Sequence, residues 1–361
     1  MHERLSLHRP SIPRISDARE RPLWSVMIPV YNCAFYLREA LAGVLAQDPG
    51  RAAMQIEVVD DHSTEDDPAA VVQELGGGRV AFHRQRRNVG YVRNFETCLR
   101  RARGGLVHLL HGDDGVREGF YRRMQQPFEA HPEIGAAFCR HIYVDEDGHW
   151  ESLSPLERRS PGVLDDWLTK IAGGQRLATP AVVVRREVYE ELGGFDRRFT
   201  RAGEDWEMWV RIAAHYPVWF EPEPLAIYRV KRAGSLTGAS DGTLELVEDM
   251  LRAAEIIDTY LSEHLPAQEA RALLRKARQT YAGWALEPVA QTLARGDAAA
   301  AFAQIRQAQR CSRSFETARA VTTCLSQAGW RWGRSKVRTG MRRLRGASGK
   351  NLQRDRGGRR E

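Results

Sequence analysis

Between residues 24 and 235, short apolar runs alternate with stretches whose apolar positions recur every three or four residues. WSVMIPVY (24–31), QIEVVDD (55–61), a short run inside GGGRVAFHRQ (76–85) and LVHLLHG (106–112) predict strands. AFYLREALAGVLAQ (34–47), DPAAVVQEL (67–75) and GYVRNFETCLRRARG (90–104) predict the helices between them, the last stopped by Gly104 and Gly105. This alternation predicts an α/β domain with a mostly parallel central sheet flanked by helices, over residues 23–240. From residue 241 the pattern turns Ala- and Leu-rich at helical spacing, over 243–265, 266–296, 297–310 and 314–329. A helical C-terminal region is therefore expected over 241–330.

In open parallel sheets, ligands bind beyond the carboxyl ends of the strands. PVYN (29–32), DDHSTED (60–66) and GDD (112–114) would then share one edge. Two of these strands end in adjacent aspartates. Like charges persist side by side where solvent screens them or where something positive compensates. A hard divalent cation with oxygen ligands fits such a strand end, because it commonly takes one or two carboxylates plus substrate phosphates. Arg86, Arg87 and Arg93 place positive charge near the same edge, and a helix N-terminus there favours phosphate. Further along, the Gly- and Arg-rich loop of GGFDRRFTRAGEDWEMWVRIA (193–213) leads into Glu204 and Asp205, with Trp206, Met208 and Trp209 following. The acids could serve the helix dipole or chemistry, and the aromatics could form a platform for a sugar or base.

Charge is unevenly placed. Residues 331–361 hold 12 Lys/Arg against 2 Asp/Glu, a net +10; the other 330 residues hold 42 against 45, a net −3. A near-neutral body with a basic tail is a statement about partners rather than fold. With Trp330, Trp332, Val337, Met341 and Leu344, the tail could make peripheral contact with an anionic membrane. No nucleic-acid module accompanies it, so nucleic acid is not an expected partner. Residues 1–22 read as a polar, mobile arm with no apolar signal segment, and no apolar run approaches membrane-spanning length. The five cysteines have no paired or metal-ligand spacing, which fits a reducing compartment and excludes a disulfide framework. A cytoplasmic location follows, with peripheral association at the inner face of the membrane as an extension. No GxGxxG follows the first strand, which argues against a dinucleotide-binding dehydrogenase.

Taken in order, WSVMIPVYN (24–32), EVVDDHSTED (57–66), RNVGYVRNFETCLRRARGGLVHLLHGDD (87–114), GGFDRRFTRAGEDWEMWVRI (193–212) and PLAIYRVKRAGSLT (224–237) resemble family 2 glycosyltransferases of the GT-A fold. The resemblance implies an inverting, metal-dependent transfer of a sugar from a nucleotide-diphosphate sugar, of UDP or dTDP type, to a glycan or lipid-linked acceptor in bacterial surface polysaccharide synthesis. It implies Pro29, Val30 and Tyr31 along the nucleotide pocket, Asp61 on the pyrimidine and Arg93 near the nucleotide or diphosphate. Asp114 would bind Mg²⁺ or Mn²⁺, with Asp113 on the ribose or supporting the metal. Asp205 would be the general base, with Glu204 the second candidate. His111 stands where the family often has Asp, and Lys231 where it has a histidine, from which Lys231 could meet the diphosphate. Alternatives are a nucleotidyltransferase or phosphotransferase using the same carboxylates, or a non-catalytic nucleotide- or glycan-binding module.

Overall fold

A computed structural model describes residues 8–15, 21–230, 235 and 243–326. The first sheet half is the parallel array expected from the alternation. β1 (Trp24–Val30) lies between β2 (Met54–Asp60) and β4 (Leu106–Leu109), and β3 (Ala81–Arg84) pairs with β2, all in parallel. All seven residues of β1 are buried, as a strand covered on both faces must be. The helices α1 (Ala34–Leu45), α2 (Pro68–Gly76) and α3 (Tyr91–Arg101) follow β1, β2 and β3. On α1, Leu37, Leu41 and Val44 form the apolar stripe that joins Val26, Ile28, Ile56 and Val58 in the core. Asp67 caps α2 by accepting from the N–H groups of Ala69 and Ala70, with Pro68 opening the helix.

The second half is mixed. After β5 (Gly115–Val116) and α4 (Phe120–Ala130) come β6 (Ala136–Val144), β7 (Trp150–Leu153), β8 (Gly162–Val163) and α5 (Trp167–Ala172). β9 (Val182–Arg185), α6 (Arg186–Leu192), α7 (Glu204–His215) and β10 (Val218–Arg229) follow. The sheet order is β3-β2-β1-β4-β9-β6-β10-β5. β9 runs antiparallel to both β4 and β6, while β6 and β10 run parallel to each other. Parallel pairing therefore holds from β3 to β4 and again between β6 and β10, with an antiparallel strand between the two blocks.

The predicted strand at 106–112 leaves the ladder at Leu109. The chain still follows β1, because Leu110 N–H donates to Met27 O at 3.0 Å and Gly112 N–H to Pro29 O at 3.1 Å. This carries the GDD segment to the end of β1.

Residues 8–15 correct the expectation of a free N-terminal arm. Ile12 is 1% exposed, Gly194 N–H donates to Pro10 O, and Arg197 N–H donates to His8 O. Arg9 reaches Glu207 Oε1 at 2.8 Å, inside a buried network with Arg211. The segment is tied to the Gly194–Arg197 loop by backbone hydrogen bonds and to α7 by Arg9.

The chain divides into two compact units, 1–277 and 278–361. In the first, α8 (Thr243–Leu261) packs against α7. α9 (Ala267–Leu286) runs across the division. The second unit contains α10 (Val289–Ala294), α11 (Ala298–Cys311) and a further helical stretch over 315–326. There Gln279 accepts from Ser312, Ser314 and Thr317. All five cysteines are free thiols. No helix among the described residues is long and apolar enough to cross a membrane. Lys231 and the basic tail 331–361 lie outside the described residues.

Candidate functional site

The loops at the carboxyl ends of β1 and β2 are tied to each other. Asn32 takes up φ +48, and its side-chain oxygen accepts from Thr64 N–H at 2.9 Å and Glu65 N–H at 3.2 Å. Its own N–H donates to Ser63 Oγ at 2.9 Å. Asp61 is 3% exposed and accepts from Val89 N–H at 2.8 Å and Gly90 N–H at 2.9 Å, one on each oxygen. It thus anchors the turn that opens α3. Burial raises its pKa, and the two N–H groups oppose that shift. Tyr31 is 43% exposed, Pro29 and Val30 are buried in β1, and Arg93 is exposed on α3.

Gly112 carries the chain from β4, alongside the end of β1, into the acidic pair. A Cβ there would lie 2.5 Å from Val30 Cγ1 and 3.0 Å from Cys33 Sγ, so only glycine fits. Gly112→Ala is expected to destabilise the fold by about 1–3 kcal/mol and to displace Asp113 and Asp114. Thermal unfolding and donor binding measured on one sample check both effects.

Asp114 is buried. Its Oδ1 accepts from Arg229 N–H at 2.9 Å, while Oδ2 faces His111 Nδ1 at 3.4 Å and has no hydrogen-bond partner. Burial, reinforced by Asp113, pushes its pKa up to about 6 against the pull of His111. The Arg229 guanidinium donates to Asp113 O, to Asp145 O and Glu146 O, and to Glu39 Oε2, and it lies over the Tyr36 ring. This one buried arginine joins β10, α1 and the turn after β6 around the acidic pair.

The opposite wall comes from α7. Gly203, at φ +85, turns the chain into the helix. Glu204 is 7% exposed, and its Oε2 accepts from Tyr91 OH at 2.9 Å. Asp205 Oδ2 accepts from Gln175 Nε2 at 2.6 Å, and its Oδ1 from Trp206 N–H at 2.7 Å. Burial raises Asp205 to about 6; burial and then its Asp205 neighbour raise Glu204 to about 8. His111 stacks on Phe95 and feels Asp114, Asp113 and Glu204 strongly enough to keep its pKa raised despite burial. The imidazole thus lies among the carboxylates that sequence reasoning placed on separate segments.

Trp206, Met208 and Trp209 do not form a platform. They are 0%, 0% and 4% exposed, and Trp206 Nε1 donates to Ile171 O inside the core. Tyr91, Gln175 and Arg229 are site residues that sequence reasoning left without a role. Tyr91 and Arg229 lie within quoted segments, but Gln175 carries no local signal. Among the described residues, a further group with metal-ligand spacing is Asp145, Asp147 and His149, on the turn between β6 and β7.

The family described as Glycosyl transferase family 2 matches residues 25–193, and Glycosyltransferase like family 2 matches residues 169–270. The chain belongs to glycosyltransferase family 2. This family 2 chain is 29% identical over 228 residues to Uncharacterized protein MT1568 of Mycobacterium tuberculosis, covering 60% of this chain and 70% of that protein. It is 28% identical over 274 residues to the O-antigen biosynthesis protein RfbC of Myxococcus xanthus, covering 73% of this chain and 19% of that one. Staphylococcus aureus TarS 1–349 in complex with UDP-GlcNAc superposes with a TM-score of 0.55 at 16% identity, covering 79% and 90% of the two chains. Mannosyltransferase PcManGT from Pyrobaculum calidifontis, in complex with GDP-Man and Mn²⁺, gives 0.54 at 20% identity and 90% of each chain. At these identities the two structures establish the fold alone, and that fold is the GT-A arrangement the resemblance implied.

Proposed function

We propose that this glycosyltransferase moves a sugar from a nucleoside-diphosphate sugar, of UDP or dTDP type, to a hydroxyl of a glycan or lipid-linked acceptor. The transfer proceeds with inversion and serves surface polysaccharide synthesis. The observation that carries this reading is that the two acidic pairs are joined through one cluster: His111 faces Asp114 at 3.4 Å and stacks on Phe95, Phe95 packs on Tyr91, and the Tyr91 hydroxyl donates to Glu204 beside Asp205. The O-antigen role named for RfbC and the donors named for TarS and PcManGT support the substrate class.

The chain offers a fit for a divalent cation. Asp114 Oδ2 is a buried carboxylate oxygen with no hydrogen-bond donor, and Asp113 adjoins it. Two carboxylates suit a hard cation that shares its other ligands with a diphosphate. Mg²⁺ or Mn²⁺ held there would stabilise negative charge on the departing nucleoside diphosphate.

The remaining steps belong to the chain itself. Asp205 accepts the proton of the acceptor hydroxyl as that oxygen forms its bond to the anomeric carbon and the bond to the diphosphate oxygen breaks. Gln175 holds Asp205 in place for this. One carboxylate base and one displacement give inversion. Asp61 fixes the turn that opens α3, Tyr31 is exposed for the base, and Arg93 and, from its place in the sequence, Lys231 are the cations assigned to the diphosphate. The basic tail supports peripheral membrane contact if the acceptor is lipid-linked.

A melting screen tests the reading. UDP, dTDP, GDP, CDP and ADP are added singly, each with Mn²⁺ and with EDTA. One diphosphate should raise the melting temperature with Mn²⁺, by mass action, and lose that effect with EDTA. No shift with any of the five would refute the donor class.

A further inference from the structure

The loop Thr200–Gly203 connects the buried Phe199 to Glu204 and Asp205. Its N–H groups have neither strand nor helix to receive them. Three of the four, those of Thr200, Arg201 and Ala202, converge instead on one carboxylate of α8. Asp249, 1% exposed, accepts on Oδ2 from Thr200 N–H at 2.7 Å, Arg201 N–H at 2.7 Å, Ala202 N–H at 3.4 Å and Thr200 Oγ1 at 3.1 Å. Successive N–H groups wrapped around one anion form a backbone nest, a motif that usually receives a phosphate or another ligand. Here the anion is the chain's own.

Neighbours of Asp249 on α8 extend the grip. Arg252 pairs with Asp249 Oδ1 and donates to Arg198 O at 3.1 Å. Glu245 accepts from Arg201 Nε at 2.8 Å. Glu245, Asp249 and Arg252 follow the four- and three-residue spacing that puts side chains on one helix face. At Gly203 the backbone sits flush on that face: a Cβ there would come within 3.1 Å of Asp249 O and 3.3 Å of Ala253 Cβ.

We propose that α8 is a positioning element of the active site, and that Asp249 is the positioning residue that sets where the Glu204–Asp205 pair points. The inference rests on Asp205 being the base. Asp249 itself touches no substrate. It acts through the loop, whose very next residues are the acidic pair. Without the carboxylate, three N–H groups lose their acceptor and the first turn of α7 loses its anchor. A displacement of about 1 Å at a reacting group costs on the order of 10²-fold in rate.

Asp249→Asn and Thr200→Val in the full chain test this, with Glu255→Gln on the exposed face of α8 as control. Turnover is read as release of nucleoside diphosphate from a panel of UDP-, dTDP- and GDP-sugars. Amide hydrogen exchange over 200–206 is read alongside. Asp249→Asn should lower kcat by about 10²-fold, with donor KM within about twofold of wild type. Thr200→Val, which deletes a single donor, should lower kcat several-fold with KM unchanged. Both should speed exchange of the 200–206 amides and of no distant segment, and Glu255→Gln should change nothing. If Asp249→Asn does not fold, Thr200→Val decides.

Exchange at 200–206 unchanged in a folded Asp249→Asn protein would overturn the proposal. So would a kcat within about threefold of wild type, or kcat and KM worsening together in step with the melting temperature. A wild type that releases no diphosphate from this panel refutes the proposed donor class and Asp205→Asn with full turnover refutes the base assignment, while the exchange result still decides whether Asp249 holds the loop.

Discussion

Asp205→Asn is expected to lower sugar transfer by about 10²–10⁴-fold, the usual contribution of a general base, and to leave donor binding unchanged. The amide keeps the size of the side chain and can still accept from Trp206 N–H. It cannot take a proton from an acceptor hydroxyl. The pH dependence follows from the same group. Burial raises Asp205 to about 6, and the base works only when ionised. Wild-type kcat should therefore rise with pH through about 6 and level off above it, and the residual activity of the variant should lack that rise. Glu204→Gln should have the smaller effect near neutral pH, because burial and Asp205 push Glu204 up to about 8 against the opposing hydrogen bond from Tyr91, and it stays largely protonated there. Transfer assays on both variants from pH 5 to 9 check this. Full transfer by Asp205→Asn would move the base elsewhere, with Glu204 the first alternative.

The parallel half of the sheet and its acidic edge were legible because their signals are local. A strand buried on both faces is predominantly apolar, and two adjacent aspartates at its end stand out against it. The mixed half was not legible. β9 lies between β4 and β6 through pairings such as Val107 with Val184 and Ala137 with Val183, and nothing within either segment names its partner. The strap at 8–15 hides a single buried Ile12 among Pro and Arg, too short to show a period. Trp206 and Trp209 misled for the opposite reason. Aromatics beside acids suggest a sugar platform, yet the three-residue spacing of 206 and 209, continued by Val210, is that of a core-facing helix stripe. Gln175 and Asp249 act across 30 and about 48 residues of sequence through single hydrogen-bonding side chains, and a lone polar residue has no pattern to read.

Asp114→Asn is expected to abolish stabilisation by divalent cations, and to do so most visibly at high pH. In the fold, burial and Asp113 raise Asp114 from 3.8 to about 6, so the folded state binds its proton more tightly than the unfolded chain. The contribution of that group is fully present below pH 3.8 and is lost as pH rises through about 6. The shift corresponds to about 3 kcal/mol of charge strain once the carboxylate is ionised. That figure is what remains after His111, at 3.4 Å, has already offset part of the cost. A divalent cation on Oδ2 offsets the rest, so the rise in melting temperature with Mn²⁺ should be small at pH 5 and large at pH 8. The Asn variant has no charge to compensate. Without cation at pH 8 it should melt at or above the wild-type temperature, it should respond to Mn²⁺ at neither pH, and it should lose transfer. Melting curves of both proteins at pH 5 and 8, with Mn²⁺ and with EDTA, read all of this together. A variant that keeps the full Mn²⁺ response at pH 8 would place the cation elsewhere, and Asp145, Asp147 and His149 would be the next residues to substitute.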